Sequence, residues 1–404
     1  MKVLYSYRVS ALKRCTRCLL PETHETIFFD STGVCSVCRN SELKETVNWM
    51  VRKKELELIA DQNRGNNVYD CIVPFSGGKD SVWTLYYIVT ELKLKPLVVS
   101  FDHGFYRPNL IRNREKVLKS LGVDSLIYTP NWKLVQKLML QAFLEKGDFC
   151  WHCHTGIFSY PMWVAIEKKI PLVFWGEPSS EYASYYDYSE IEHVDEDRFN
   201  RIVNLGMAAE DMRLRLGEGY DERDLLPFTY PPAQELIKLG IKSVPLGSYI
   251  PWDVEKQATI IKTELGWTGD FVEGVPPEYD YEKIECYMQG VRDYIKFLKR
   301  GYARTTHLTS LDIRNNKITR KDALELVEEY EGKRPHALDL FLEYIGLTEK
   351  EFYEIAITHK LDAVSPVVSV QIGPKPPDLD QWQKHPSMPR DEKDLALLKW
   401  KAER

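Results

Sequence analysis

From Tyr69 to about Gly269, short apolar runs alternate with longer amphipathic stretches. "CIVPF", "KPLVVSF", "DSLIYT" and "IPLVFWG" have the length and apolar character of buried strands. Between them, "DSVWTLYYIVTELK", "NLIRNREKVLKSLG" and "WKLVQKLMLQAFLEKG" repeat their apolar positions with a helical period. Strands alternating with helices at this spacing predict a doubly wound parallel α/β sheet over residues 67–275. Residues 1–42 precede it, with two cysteine pairs and little apolar material for a core. A charged helical stretch within "SELKETVNWMVRKKELELIADQ" fills the linker 43–66. Residues 276–365 read as a helical domain through "YEKIECYMQGVRDYIKFLKRG", "TRKDALELVEEYEG" and "ALDLFLEYIG", with glycine stops. The Pro-rich stretch 366–404 reads as an extended tail. No internal repeat is visible.

The 404 residues suit two or three units with substantial cores, and 44% apolar with 28% charged residues is ordinary for a globular chain. No run approaches the ~18 apolar residues that span a bilayer, and the N-terminus has no signal-peptide apolar region, so a cytoplasmic protein is expected. The net charge of −6 and a pI near 5.9 give a large polyanion such as tRNA a repulsive overall field.

Chemistry first enters at "DCIVPFSGGKDSVWTLYYIV". Its Ser76-Gly77-Gly78-Lys79-Asp80-Ser81 loop lies where a strand ends and a helix begins. Two glycines allow close backbone approach to an anion, and the helix N-terminus favours phosphate oxygens there. The serine hydroxyls and Lys79 add donors, and Asp80 can hold a Mg²⁺ that bridges phosphates. The Walker spacing Gly-x-x-x-x-Gly-Lys-[Ser/Thr] is absent.

Ser-Gly-Gly-x-Asp-Ser after the first strand resembles the signature of the PP-loop ATP pyrophosphatases. The resemblance implies a Rossmann-like fold and cleavage of ATP between its α- and β-phosphates. A substrate oxygen becomes an adenylate, and a nitrogen or sulfur nucleophile then expels AMP. It also implies that Asp102, with His103 and Gly104 in "VVSFDHGF", lies beside the nucleoside. Gly176 and Glu177 in "LVFWGEP" fall at the family's second acidic position, which makes Asp80 and Glu177 the expected Mg²⁺ carboxylates. In any such fold, a strand-end carboxylate can equally be a turn or capping residue.

Cys15, Cys18, Cys35 and Cys38 form Cys-x2-Cys-x16-Cys-x2-Cys, a spacing that closes a four-thiolate zinc ribbon. Four sulfurs leave no open coordination position, so the site is structural, with metal binding coupled to folding. Cys150 and Cys153 make a third pair in "FCWHCHTGIF", beside His152 and His154. PP-loop enzymes that thiolate tRNA carry a pair at a similar place with a third cysteine holding an iron–sulfur cluster, and Cys286 is the candidate for that third ligand. A second metal site and plain reduced thiols are the other readings.

The motif order is more specific than the loop alone. A four-cysteine unit with "C-x-x-C-x-x-P-x-T" and "F-D-x-x-G-V-C-x-x-C" precedes "SGGKDS", "LGSYIPWD" and "GYARTTHLTSLDIRNNKITRKDALELV". From Cys15 to about Gly346, the chain resembles the N-acetyl sugar amidotransferases of bacterial surface-polysaccharide (lipopolysaccharide, O-antigen) and nonulosonic-acid biosynthesis. The resemblance implies ammonia transfer to an adenylated N-acetyl carbonyl, giving an acetamidino sugar. It also implies two partners, a glutaminase and an ammonia-channel protein similar to the imidazole glycerol phosphate synthase pair. Consistently, no glutaminase signature stands in this chain. An acidic N-acetylated sugar or nucleotide sugar would suit Arg304, Arg314 and Arg320 as bidentate partners, and Tyr249, Trp252 and Asp253 as stacking and polar groups. Those arginines can equally form a solvated helix face. The rivals are a tRNA sulfurtransferase using Cys150 and Cys153, and a non-catalytic nucleotide-sensing scaffold for a glutaminase.

Overall fold

The computed structural model describes residues 12–176, 178–182, 185–364 and 371–382. Strands form where the apolar runs place them: β1 (Cys71–Pro74), β2 (Pro96–Phe101), β3 (Asp124–Tyr128) and β4 (Leu172–Trp175). A fifth strand, β5 (Lys242–Pro245), forms in a stretch whose pattern does not announce it, because only Val244 and Pro245 are buried. Its parallel pairing with β4 makes it a strand. All pairings are parallel and the order is β3-β2-β1-β4-β5. The strand order reverses between β1 and β4, and ligands of open α/β sheets bind outside the carboxyl ends at such a point.

Helices α1 (Ser36–Leu43) and α2 (Trp49–Asn63) precede the sheet, and alternation along β1 explains its double winding. Cys71 and Val73 join one core with α3 (Lys79–Thr90), α4 (Pro108–Leu121) and the helix Val254–Leu265, while Ile72 joins another with α6 (Trp151–Lys168). The helix α5 (Trp132–Lys146) adds Leu134 and Leu138 beside Phe101. The expectation of four buried strands needs one correction. β3 is an edge strand, exposed over most of its length, with Ile127 at 56%.

The helical region contains Gln289–Arg300, Arg304–Arg314, Arg320–Tyr330, Ala337–Ile345 and Glu349–Thr358. Its first predicted helix starts late, since Tyr281–Met288 is turn and bridge instead. Cys286 bridges to Tyr106, and the Tyr287 amide donates to the Phe105 carbonyl at 3.2 Å. These tertiary pairings outweigh the local helical period. The extended tail is pinned where described. The Gly373 amide donates to the Arg334 carbonyl at 2.9 Å, and the buried Trp382 stacks on Tyr287 with ring centroids 5.0 Å apart.

The four-cysteine unit docks on this helical region. Leu19 packs with Ala323 and Val327, and its amide donates to Ser310 Oγ at 3.1 Å. Among the described residues, no helix is long and apolar enough to cross a membrane.

Candidate functional site

The loop Ser76–Ser81 leaves the carboxyl end of β1 and enters α3, whose N-cap, Gly78, receives no side-chain cap. Gly77 sits at φ +92°, a conformation that L side chains rarely adopt, and a Cβ there would meet Arg114 Cγ at 2.3 Å. Both glycine amides meet serine hydroxyls. Gly77 N–H donates to Ser81 Oγ at 3.0 Å and Gly78 N–H to Ser76 Oγ at 3.2 Å. Ser81 Oγ donates in turn to the Gly78 carbonyl at 3.1 Å. The two serines thus shape the loop as well as offering oxygens to a ligand.

Lys79 is almost fully buried between two carboxylates, Asp80 Oδ2 at 2.7 Å and Glu282 Oε2 at 3.1 Å. Burial pushes the Glu282 carboxyl up, but Lys79, Lys283 and Arg304 outweigh it and hold it down to about 2. Glu285 reaches the same loop. Its Oε1 accepts from Ser76 Oγ at 3.4 Å and occupies the space beside Gly78, where a Cβ would meet it at 1.9 Å. Arg114, 5% exposed, lies behind the loop with Nη1 3.5 Å from the Ser76 carbonyl oxygen, and its guanidinium stands 4.6 Å from the Tyr106 ring centre. Trp267 Nε1 donates to the Gly77 carbonyl at 3.0 Å. Sequence reasoning missed Arg114, Trp267, Glu282 and Glu285. Glu282 and Glu285 lay in a stretch read as helix, where charged residues look like a solvated face.

The other strand ends converge in part. Gly176 follows β4 and fits closely against α3, since a Cβ there would meet Thr84 Oγ1 at 2.6 Å and the Asp80 carbonyl oxygen at 3.2 Å. Glu177 lies outside the described residues. Asp102 follows β2 as a turn carboxylate, accepting from Gly104 N–H at 2.8 Å and from Thr129 Oγ1 at 3.2 Å. His103 is buried against Tyr106.

The residues expected to meet a sugar separate. Trp252 and Asp253 line a cavity of about 350 Å³, whereas Tyr249 packs against the main core. Arg304 pairs with Asp293 at 3.3 Å and Glu282 at 3.5 Å, and Arg314 donates to the Glu181 carbonyl at 3.3 Å. Arg320 faces the ribbon, donating to the carbonyls of Cys18 at 3.3 Å and Cys15 at 3.4 Å. That leaves Arg320 as a clamp on the cysteine unit.

The four ribbon sulfurs of Cys15, Cys18, Cys35 and Cys38 are buried and lie within 4.8 Å of one another. The Cys15–Cys38 and Cys18–Cys35 separations are 3.8 and 3.7 Å. Four thiolates about 2.3 Å from a tetrahedral metal would be about 3.8 Å apart, so this donor set can hold a zinc-sized ion. Backbone N–H groups of Arg17, Cys18 and Cys35 point to Cys15 Sγ at 3.3–3.4 Å, which favours the thiolate form. Cys150, Cys153 and Cys286 are brought into electrostatic range of one another near Glu285, and burial pushes all three thiols up. They do not form a set as tight as the ribbon's.

Residues 277–363 match the family model described as LPS biosynthesis protein WbpG-like, C-terminal domain. The helical region is therefore similar to a domain of lipopolysaccharide biosynthesis proteins. An uncharacterized protein of Methanocaldococcus jannaschii, MJ1599, is 33% identical over 116 residues, which are 28% of this chain and 42% of that protein. The chain thus matches less than half the length of that relative. Among solved structures, the U34-tRNA thiolase NcsA from Methanococcus maripaludis, with its 4Fe-4S cluster, is 15% identical. That alignment has a TM-score of 0.32 and covers 79% of this chain and 87% of that one.

Proposed function

We propose that the protein is an ATP-dependent, AMP-forming amidotransferase acting on an N-acetylated sugar of bacterial surface-polysaccharide biosynthesis. One observation carries this reading. The segment similar to the WbpG-like domain also brings Glu282 and Glu285 against the Ser76–Ser81 loop, which supports reading the two regions together.

In this reading Ser76, Gly77, Gly78, Lys79 and Ser81 hold the pyrophosphate portion of ATP, aided by the α3 N-terminus and by Arg114 from behind. Mg²⁺, when bound, neutralises phosphate charge; Asp80, with Glu282 and Glu285 nearby, is the carboxylate set to hold it, and Glu177 completes the expectation from sequence. The amide oxygen of the sugar attacks the α-phosphorus while the bond to pyrophosphate breaks. Ammonia then adds at the imidate carbon, the bond to AMP breaks, and a proton is lost to leave the amidine. The protein contributes position and charge neutralisation. Zinc in the ribbon is structural. Ammonia comes from a glutaminase and a channel protein, the partners that the sequence resemblance implies.

The test is mass spectrometry of products from purified protein, Mg-ATP, ammonium chloride and N-acetylated bacterial sugars. The expected product carries NH in place of the carbonyl oxygen, with AMP and pyrophosphate released in step. ATP turnover that needs tRNA and a sulfur donor would overturn the reading.

The convergence of Cys150, Cys153 and Cys286 near Glu285 favours one second reading, a PP-loop sulfurtransferase. These half-buried thiols, which burial keeps protonated, would become thiolates only beside a metal or iron–sulfur centre. Anaerobically purified protein with iron, acid-labile sulfide and a visible absorbance band lost in Cys286→Ser would support it.

A further inference from the structure

A cavity of about 350 Å³ lies one side chain away from the phosphate-type loop. It is bounded by the Pro251–Val254 segment, Tyr279 to Glu282, the helix Arg304–Arg314 and the Lys44/Glu181 pair. Glu282 belongs to both places, lining the cavity while its Oε2 holds Lys79. The volume is at the lower end of the ~300–1,000 Å³ typical of small-ligand sites, room for one sugar ring and too little for a whole nucleotide sugar.

The wall chemistry is selective. Trp252, Tyr279 and Tyr281 supply flat apolar faces. Four carboxylates line the space (Glu181, Asp253, Glu282 and Asp312) against two ammonium groups, Lys44 and Lys317. Both lysines are engaged, Lys44 with Glu181 at 2.8 Å and Lys317 with Glu255 at 3.1 Å. Asp312 accepts from Tyr279 OH at 2.7 Å, and among the described residues its other oxygen stands 3.8 Å from Lys317 Nζ. Trp252 is 2% exposed, and among the described residues its indole N–H has no hydrogen-bond partner. A buried unpaired donor costs about 1–3 kcal/mol and points to a ligand acceptor.

Resting on the amidotransferase reading, we infer that this cavity binds the neutral, hydroxyl-bearing ring of an N-acetylated sugar and leaves any carboxylate or diphosphate of that sugar outside. Carboxylates accept from ring hydroxyls, aromatic faces cover the C–H surface, and the Trp252 N–H donates to a sugar oxygen. Glu181 is held by Lys44, Glu282 by Lys79 and Arg304, and Lys317 by Glu255, so an anionic group in the same space would meet lysines already paired and the carboxylates of Asp253 and Asp312. The sequence expectation of an acidic sugar gripped by Arg304 is thereby narrowed, because that arginine is spent on Asp293 and Glu282.

The experiment is saturation-transfer NMR on the full chain with N-acetylmannosamine and its uronate as probes. The expected result is binding of the neutral sugar, binding of the uronate no tighter, and a roughly tenfold weakening in Trp252→Phe, the effect of one lost hydrogen bond. Asp312→Asn should weaken binding to a similar degree while thermal melting stays as in the parent chain. Binding of neither sugar, unchanged binding in both variants, or a uronate bound tenfold more tightly would each overturn the assignment. ATP–pyrophosphate exchange is followed in parallel. Exchange driven by sugar but indifferent to both variants sinks the cavity alone, while exchange driven only by tRNA sinks the amidotransferase reading beneath it.

Discussion

Replacing Lys79 by Met would take from Asp80 and Glu282 the cation they share, leaving Glu282 with Arg304 at 3.5 Å, in a space where Lys79 is 3% and Glu282 1% exposed. Despite burial, the Glu282 carboxyl is held at about 2 against an ordinary value of 4.5, by Lys79 first and then by Lys283 and Arg304. At about 1.4 kcal/mol per pH unit, that difference is worth about 3 kcal/mol, within the range measured when one partner of a buried pair is removed. The folded value is depressed, so this stabilisation is fully present at neutral pH and is lost as pH falls from about 4.5 toward 2. Lys79→Met should therefore destabilise the α/β core by up to about 3 kcal/mol at pH 7, Lys79 being the first of the three cations that hold Glu282 down. The double variant Lys79→Met/Glu282→Gln should recover part of the loss, because it neutralises one of the two carboxylates that Lys79 held. The assay is urea unfolding followed by tryptophan fluorescence, as a double-mutant cycle. ATP binding, measured alongside, should stay lost in the double variant, since Lys79 in this reading also grips phosphate. A single variant within about 1 kcal/mol of the parent chain, or a cycle additive within about 0.5 kcal/mol, would refute the reasoning.

Gly77→Ala combines a left-handed backbone with a clash on Arg114, so it should cost about 1–3 kcal/mol and abolish nucleotide binding, read by thermal shift with and without Mg-ATP. Cys18→Ser should remove bound zinc, measured by elemental analysis, and loosen the ribbon, whereas Arg320→Ala should keep the metal and weaken only the docking on the helices. Burial lowers His24 to about 4 and also lowers His307, whose Nε2 lies 2.9 Å from Lys296 Nζ, where the ribbon meets the helical region. Both folded values lie below 6.5, so stability should fall as pH drops from 6.5 toward 4, by up to about 1.4 kcal/mol per unit for each histidine. Hydrogen exchange of the ribbon amides should quicken over that window, and a flat profile would count against buried neutral imidazoles.

Sequence alone determined the parallel α/β layout, because strand runs such as "CIVPF" and "KPLVVSF" carry their burial in their own composition. It also determined the ribbon cysteines and the Ser-Gly-Gly-Lys-Asp-Ser loop, since thiolate spacing and glycine-backed turns are local features of the chain. Where a property depended on a distant neighbour, the tertiary structure decided it. β5 is a strand because β4 lies beside it, and β3 is exposed because it is the edge strand of the sheet that the described residues form. Tyr281–Met288 gave up its helical period to the bridge at Cys286 and to the pull of Lys79 and Ser76 on Glu282 and Glu285. Glu282 and Glu285 sit some two hundred residues beyond the loop they serve, and no local spacing rule connects them to it. Arg320 likewise went to the ribbon carbonyls, and the sugar-sized cavity arose only where five separated segments meet. Side-chain charge is written in the sequence, but which opposite charge it meets in the low-dielectric interior is a matter of the fold.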